Sequence, residues 1–117
     1  KSDFLQLLIS LKNGSLDKYN LIIDDLATAT VFLVSGGYPE DYQQSKQIYG
    51  LDSVTESIVF HAGAVKKDDK TITSGGRVLA VTSSAETVDK ALKKSYSSIE
   101  KISFENMNYR KDIGFDL

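Results

Sequence analysis

The rhythm of apolar and polar positions changes several times along this chain. Phe4, Leu5, Leu8, Ile9 and Leu11 recur at helical spacing, with Ser2 as N-cap and Asn13–Gly14 as a stop signal. Residues 21–23 form a short apolar patch ending at Asp24 and Asp25, which predicts a short strand. Residues 29–34 (ATVFLV) are continuous and β-branched, as in a strand covered on both faces. That run breaks at SGGYP, where Pro39 fixes its own φ and restricts Tyr38. Residues 40–49 predict a short helix, polar on most sides.

A second strand is predicted over residues 58–65 (IVFHAGAV), with Ile58, Phe60, Ala62 and Ala64 on one face and Val59, His61 and Gly63 on the other. The charged run KKDDK (residues 66–70) is a reversal, so residues 71–73 pair back as a hairpin arm. Residues 77–83 predict the third strand. Ser83 or Ser84 then caps a long helix with Glu86 in its first turn and an apolar stripe of Val88, Ala91, Leu92, Ser95, Tyr96, Ile99 and Ile102. A short apolar segment at 102–104 and the tail NYRKDIGFDL follow. The expected class is α+β: a mixed, mostly antiparallel sheet or partial barrel, with one long helix and one or two short ones.

Composition narrows the chemistry. At 117 residues the chain fits one domain, or one domain with a piece of a neighbour, and can bury a core without covalent staples. It has no cysteine, so disulfides and thiolate metal sites are excluded. With 14 basic and 16 acidic residues the formal net charge is −2, and no basic field favours nucleic acid. No apolar run approaches a membrane span. The expectation is a soluble cytoplasmic monomer. The chain opens KSDFLQLL, without methionine and already in helical pattern, which reads as a piece of something longer.

Candidate chemistry is sparse. His61 is the single imidazole, and no G-x-S-x-G elbow surrounds any serine. A lone histidine in IVFHAGAV is more often a strand residue satisfied by a backbone carbonyl than a general base. Asp24 with Asp25, and Asp68 with Asp69, could coordinate Mg²⁺, although adjacent carboxylates in polar turns are usually just solvated. The string TSGGRVLAVT raises a sharper question, because Arg77 puts a permanent charge at the mouth of an apolar strand behind Gly75 and Gly76. Glycines let backbone N–H groups approach an anion, and Arg supplies a planar fork for phosphate oxygens. The plainer reading is a tight glycine turn followed by a surface arginine. The same Ser-Gly-Gly string recurs at residues 35–37. Arg110, Lys111 and Asp112 read as an ion-pair cluster before an anion site.

Four blocks, VFLVSGGYPEDY, IVFHAG, TSGGRVLAVT and YRKDIG, in that order and at those separations, resemble the C-terminal domain of the phosphoribosylamine–glycine ligase family. They span residues 31–114. The resemblance implies that residues 1–26 end a preceding ATP-grasp region and that 27–117 are the C-terminal domain. It implies a reaction in which ATP activates glycine as an acyl phosphate that the amine of 5-phosphoribosylamine attacks. ATP and Mg²⁺ (or Mn²⁺) would be bound outside this chain, by the ATP-grasp region. The domain would pack against the N-terminal and ATP-grasp domains and close one wall of the ribosylamine site. By analogy with related ATP-grasp enzymes, Arg77 is the expected phosphate ligand, with Gly75 and Gly76 clearing room for the anion, and no catalytic residue is expected here. Two departures stand out. Ala64 follows HAG where threonine is frequent, and Glu40–Asp41 follow Pro39 where glycine is frequent, so that loop is assigned no ligand. The competing reading is a free-standing binding module that shares the fold.

Overall fold

In the computed structural model, residues 1–115 are described; Asp116 and Leu117 of the tail lie outside them. The elements are α1 (Phe4–Lys12), β1 (Ala27–Val34), β2 (Ile58–His61), β3 (Ala64–Lys67), β4 (Lys70–Thr73), β5 (Arg77–Ala85) and α2 (Val88–Ile99), with single 3₁₀ turns at Leu16–Lys18 and Leu51–Ser53. Every ladder is antiparallel: one sheet has the order β1-β5-β2, and β3-β4 form a separate hairpin. The chain is therefore α+β, in its open-sheet form rather than as a partial barrel.

The central strand explains the packing. β5 is flanked on both edges, and Val78, Leu79 and Val81 are fully buried. β1 is an edge strand that alternates, with Ala29, Val31 and Leu33 turned into the core and Thr28, Thr30 and Phe32 outward. The expectation that it is covered on both faces is thus corrected: α2 covers only the inner face. On the outer face Ala80 lies between Phe32 of β1 and Phe60 of β2, and these two rings bury the small residue to 7% exposure. α2 docks through Ala91, Leu92, Ser95, Ser98 and Ile99, with Val88 and Tyr96 half-buried beside them. Ile102 lies past the helix end but is still 2% exposed in the core. Each large side chain buried here contributes on the order of 1.5–3 kcal/mol relative to exposure. Four serines complete the interface. Ser57 Oγ lies 2.7 Å from Ser83 Oγ and 2.6 Å from Ser98 Oγ, and Ser95 Oγ lies 2.9 Å from Ser83 Oγ and 3.2 Å from the Ala29 carbonyl.

Several boundaries move. Asp3, not Ser2, caps α1 by accepting from Gln6 N–H at 3.0 Å, while the Ser2 hydroxyl accepts from Ile22 N–H at 2.6 Å. Residues 21–23 are exposed and join no sheet. Residues 40–49 form no helix. Ser45 has φ of 61°, and the segment runs along β4, with Ser45 N–H donating to Thr73 O at 2.7 Å and Ile48 N–H to Thr71 O at 2.8 Å. Without an apolar stripe the local helix signal loses to these sheet-like bonds. Residues 58–65 are two strands in two sheets. Gly63 is seated against Gly75, where a side chain would meet the Gly75 Cα at 2.7 Å, and the chain swings there from β2 into the hairpin. β5 runs on to Ala85, so Ser83 and Ser84 are strand residues, Glu86 precedes the helix, and Thr87 caps it by accepting from Lys90 N–H at 3.3 Å.

Candidate functional site

The two Ser-Gly-Gly strings meet in space. Ser35 N–H donates to Gly76 O at 2.8 Å, and the Ser35 hydroxyl donates to Gly75 O at 3.0 Å. The loop after β1 is thereby tied to the turn before β5. Tyr38, preceding a cis Pro39, lays its ring over Gly76, where any Cβ would overlap the ring, and Tyr42 meets Tyr38 edge-on with centroids 5.9 Å apart. The room left by Gly76 is therefore filled by an aromatic ring, and that left by Gly75 by the backbone of Gly63.

Arg77 leaves this mouth as the first residue of β5 and is exposed. Its guanidinium carbon stands 5.5 Å from the centroid of the Phe32 ring. Among the described residues no carboxylate pairs with it. Beside Phe32 a cleft of about 380 Å³ opens between Phe32, Val34 and Tyr38 on one wall and Asn108, Tyr109 and Ile113 on the other. The far wall is held in place because Val34 and Asn108 exchange backbone hydrogen bonds at 2.8 and 3.0 Å. Tyr96 also donates its hydroxyl to Arg110 O at 3.0 Å.

Of the other candidates, Arg110 lines the same cleft, while Asp68, Asp69 and His61 do not. Arg110 grips Asp112 bidentately at 2.9 and 3.0 Å, and that guanidinium holds the Asp112 carboxyl below its ordinary value. Asp68 and Asp69 are the two turn residues of the β3–β4 hairpin, with φ of 48° and 60°, as a tight primed turn requires. Among the described residues no group of three or more His, Cys, Asp or Glu side chains could hold a metal ion, so the donor set here does not fit one. His61 ends β2 opposite Leu79, exposed, and among the described residues no backbone carbonyl accepts from its ring. The residues that sequence reasoning did not single out are Phe32 and Tyr38. Each was legible as apolar or aromatic, but which residue it would touch depends on strand register.

A family model for the phosphoribosylglycinamide synthetase C domain matches residues 28–116. The chain belongs to that family. It is 41% identical over 113 residues to a phosphoribosylamine–glycine ligase of Caldanaerobacter subterraneus, covering 97% of this chain and 27% of that protein. A Pseudomonas aeruginosa ligase of the same name is 43% identical over 117 residues, covering 98% of this chain and 27% of its own length. The bifunctional purine biosynthetic protein PUR2,5 of Pichia angusta is 36% identical over 115 residues, with 97% of this chain and 15% of that protein covered. Among solved structures, the phosphoribosylamine–glycine ligase of Thermotoga maritima superposes with a TM-score of 0.80 at 32% identity, covering 93% of this chain and 27% of that one. The chain thus spans about a quarter of the length of the ligases it matches. No helix among the described residues is long and apolar enough to cross a membrane.

Proposed function

We propose that this chain serves as the C-terminal domain of a phosphoribosylamine–glycine ligase and that Arg77 binds the phosphate of 5-phosphoribosylamine. The reaction joins glycine to that amine with conversion of ATP to ADP and phosphate, in purine biosynthesis. Activation of glycine and binding of ATP with Mg²⁺ or Mn²⁺ belong to ATP-grasp residues outside this chain. The part played here is to bind and orient the ribosylamine. Residues 1–26 extend the ATP-grasp side. In support, the family match begins at residue 28, and α1 carries Phe4 at 70% exposure among several uncovered leucines. Those apolar side chains suit burial against a neighbouring domain of the same polypeptide.

The observation that carries the site is the guanidinium of Arg77, exposed at a fixed strand mouth with no carboxylate of the described residues against it. Gly75 and Gly76 shape that mouth by admitting Gly63 and the Tyr38 ring, so the strand start is rigid behind the charge. A charge-assisted hydrogen bond to a phosphate is worth about 1.5–3 kcal/mol. The phosphate is remote from the amine that reacts, so the interaction is largely common to ground and transition states. Arg77→Ala in the full-length ligase should raise KM for phosphoribosylamine by about 10- to 150-fold, with KM for ATP and glycine little changed and kcat falling less. Arg77→Lys should recover part of the loss, because the fork is gone but the charge remains. Steady-state kinetics with each substrate varied in turn decides it, and an unchanged phosphoribosylamine KM in the alanine variant returns Arg77 to an ordinary surface residue.

A further inference from the structure

We propose that Phe32 is a positioning residue for Arg77: its ring holds the guanidinium where other proteins would use a carboxylate, leaving the charge free for an anionic substrate group. The proposal rests on the reading of Arg77 as the phosphate ligand, and its test separates the two.

The strand register carries the argument. β1 and β5 pair with Phe32 opposite Ala80 and Leu33 opposite Leu79, but Val34 then stands opposite Arg77, so Val78 is an extra residue in β5. Counting by strict alternation from Ala80, Arg77 would share the inward face with Leu79 and Val81. The bulge restores it to the outward face, the face of Phe32. Bulges re-aim side chains in this way. The result is a guanidinium 5.5 Å from the Phe32 centroid, within the reach of a cation–π contact.

Phe32 is itself held. It lies across the small Ala80, which it covers together with Phe60, and remains 40% exposed. A ring so placed can limit the rotamers of a long side chain without cancelling its charge. A carboxylate would also hold Arg77, but it would occupy the same N–H donors that a phosphate needs. Arg110 shows that alternative in the same protein: its Nε–H and Nη2–H both donate to the Asp112 carboxylate. The face of a phenyl ring meets the flat face of the guanidinium and leaves its N–H edge open.

The test is a double-mutant cycle in the full-length ligase that carries this chain, using Phe32→Leu, Phe32→Tyr, Arg77→Ala and the Arg77→Ala/Phe32→Leu pair. Phe32→Leu should raise KM for phosphoribosylamine about 2- to 5-fold, with KM for ATP and glycine and kcat unchanged. Phe32→Tyr keeps the ring face and should stay near wild type. In the Arg77→Ala background Phe32→Leu should have no further effect. The ring-current displacement of the Arg77 side-chain protons, read by NMR, should vanish in Phe32→Leu and persist in Phe32→Tyr. If Arg77→Ala raises KM while Phe32→Leu does not, the positioning role is overturned and the phosphate reading survives. An equal Phe32→Leu effect with and without Arg77 also overturns it. If Arg77→Ala leaves KM unchanged, the phosphate reading fails and the proposal falls with it. Phe32→Met is a second ringless variant, with the same outcomes, if the leucine protein folds poorly.

Discussion

Arg77 and His61 lie near one end of the same sheet, yet they suit different roles. Arg77 is always charged, leaves a rigid turn and has an aromatic neighbour. His61 is exposed at the end of an edge strand, and among the described residues no carboxylate or hydroxyl is placed to orient its ring. A general base needs such an orienting partner. His61→Gln should therefore leave the pH dependence of kcat in the full-length ligase unchanged; loss of one limb of the pH–rate profile would give the histidine a catalytic part. At this scale the sequence exposed the residue types but not their neighbours. Arg77, Gly75 and Gly76 stood out because a charge beside two glycines at a strand start is unusual. Phe32 and Tyr38 did not, because their contacts depend on a bulge at Val78 and on the meeting of two loops about 40 residues apart. The room beside Gly76 likewise could not be allotted to a ring or to an anion without that meeting.

Elements whose own apolar residues decide them, by a helical stripe or a continuous run, were the legible ones. α2, β1 and β5 follow from apolar spacing, and the β3–β4 hairpin from its charged turn. The misread elements are those whose fate is decided from outside. Residues 40–49 are taken up by the edge of β4, and residues 58–65 are split because Gly63 must lie on Gly75. The cap of α2 slipped to Thr87 because Ser83 is drawn into the serine cluster under the helix and Ser84 pairs with the Thr28 hydroxyl at 3.1 Å. Leu92 tests the docking of α2. At 7% exposure it sits in the core cluster, so Leu92→Ala should cost roughly 2–5 kcal/mol. Urea unfolding measures this directly, and a midpoint equal to wild type would mean that the helix is not seated on the sheet.

Taken whole, the molecule has a compact body and an apolar arm. Its radius of gyration is 17.3 Å, against about 13 Å for a compact domain of similar length. The arm, with Ile23 74% exposed and α1 touching little beyond the turn at Leu16–Lys18, accounts for the excess. If it belongs to the ATP-grasp side, the purified 117-residue chain should show no glycine-dependent ATP hydrolysis above a vector control. Measurable turnover would place the nucleotide chemistry inside this chain after all. The order β1-β5-β2 has a consequence for how the protein is made. On the ribosome β1 and β2 emerge first, and both are neighbours of a strand that does not yet exist. From Val34 to Ala85 is 51 residues, which at roughly 5–20 residues per second takes about 3–10 s. Through that interval ATVFLV waits without a partner, and only the arrival of β5 and then α2 closes the core. Pulse proteolysis of stalled nascent chains should therefore find residues 27–34 cleavable until α2 has cleared the tunnel, and protected in a single step afterwards.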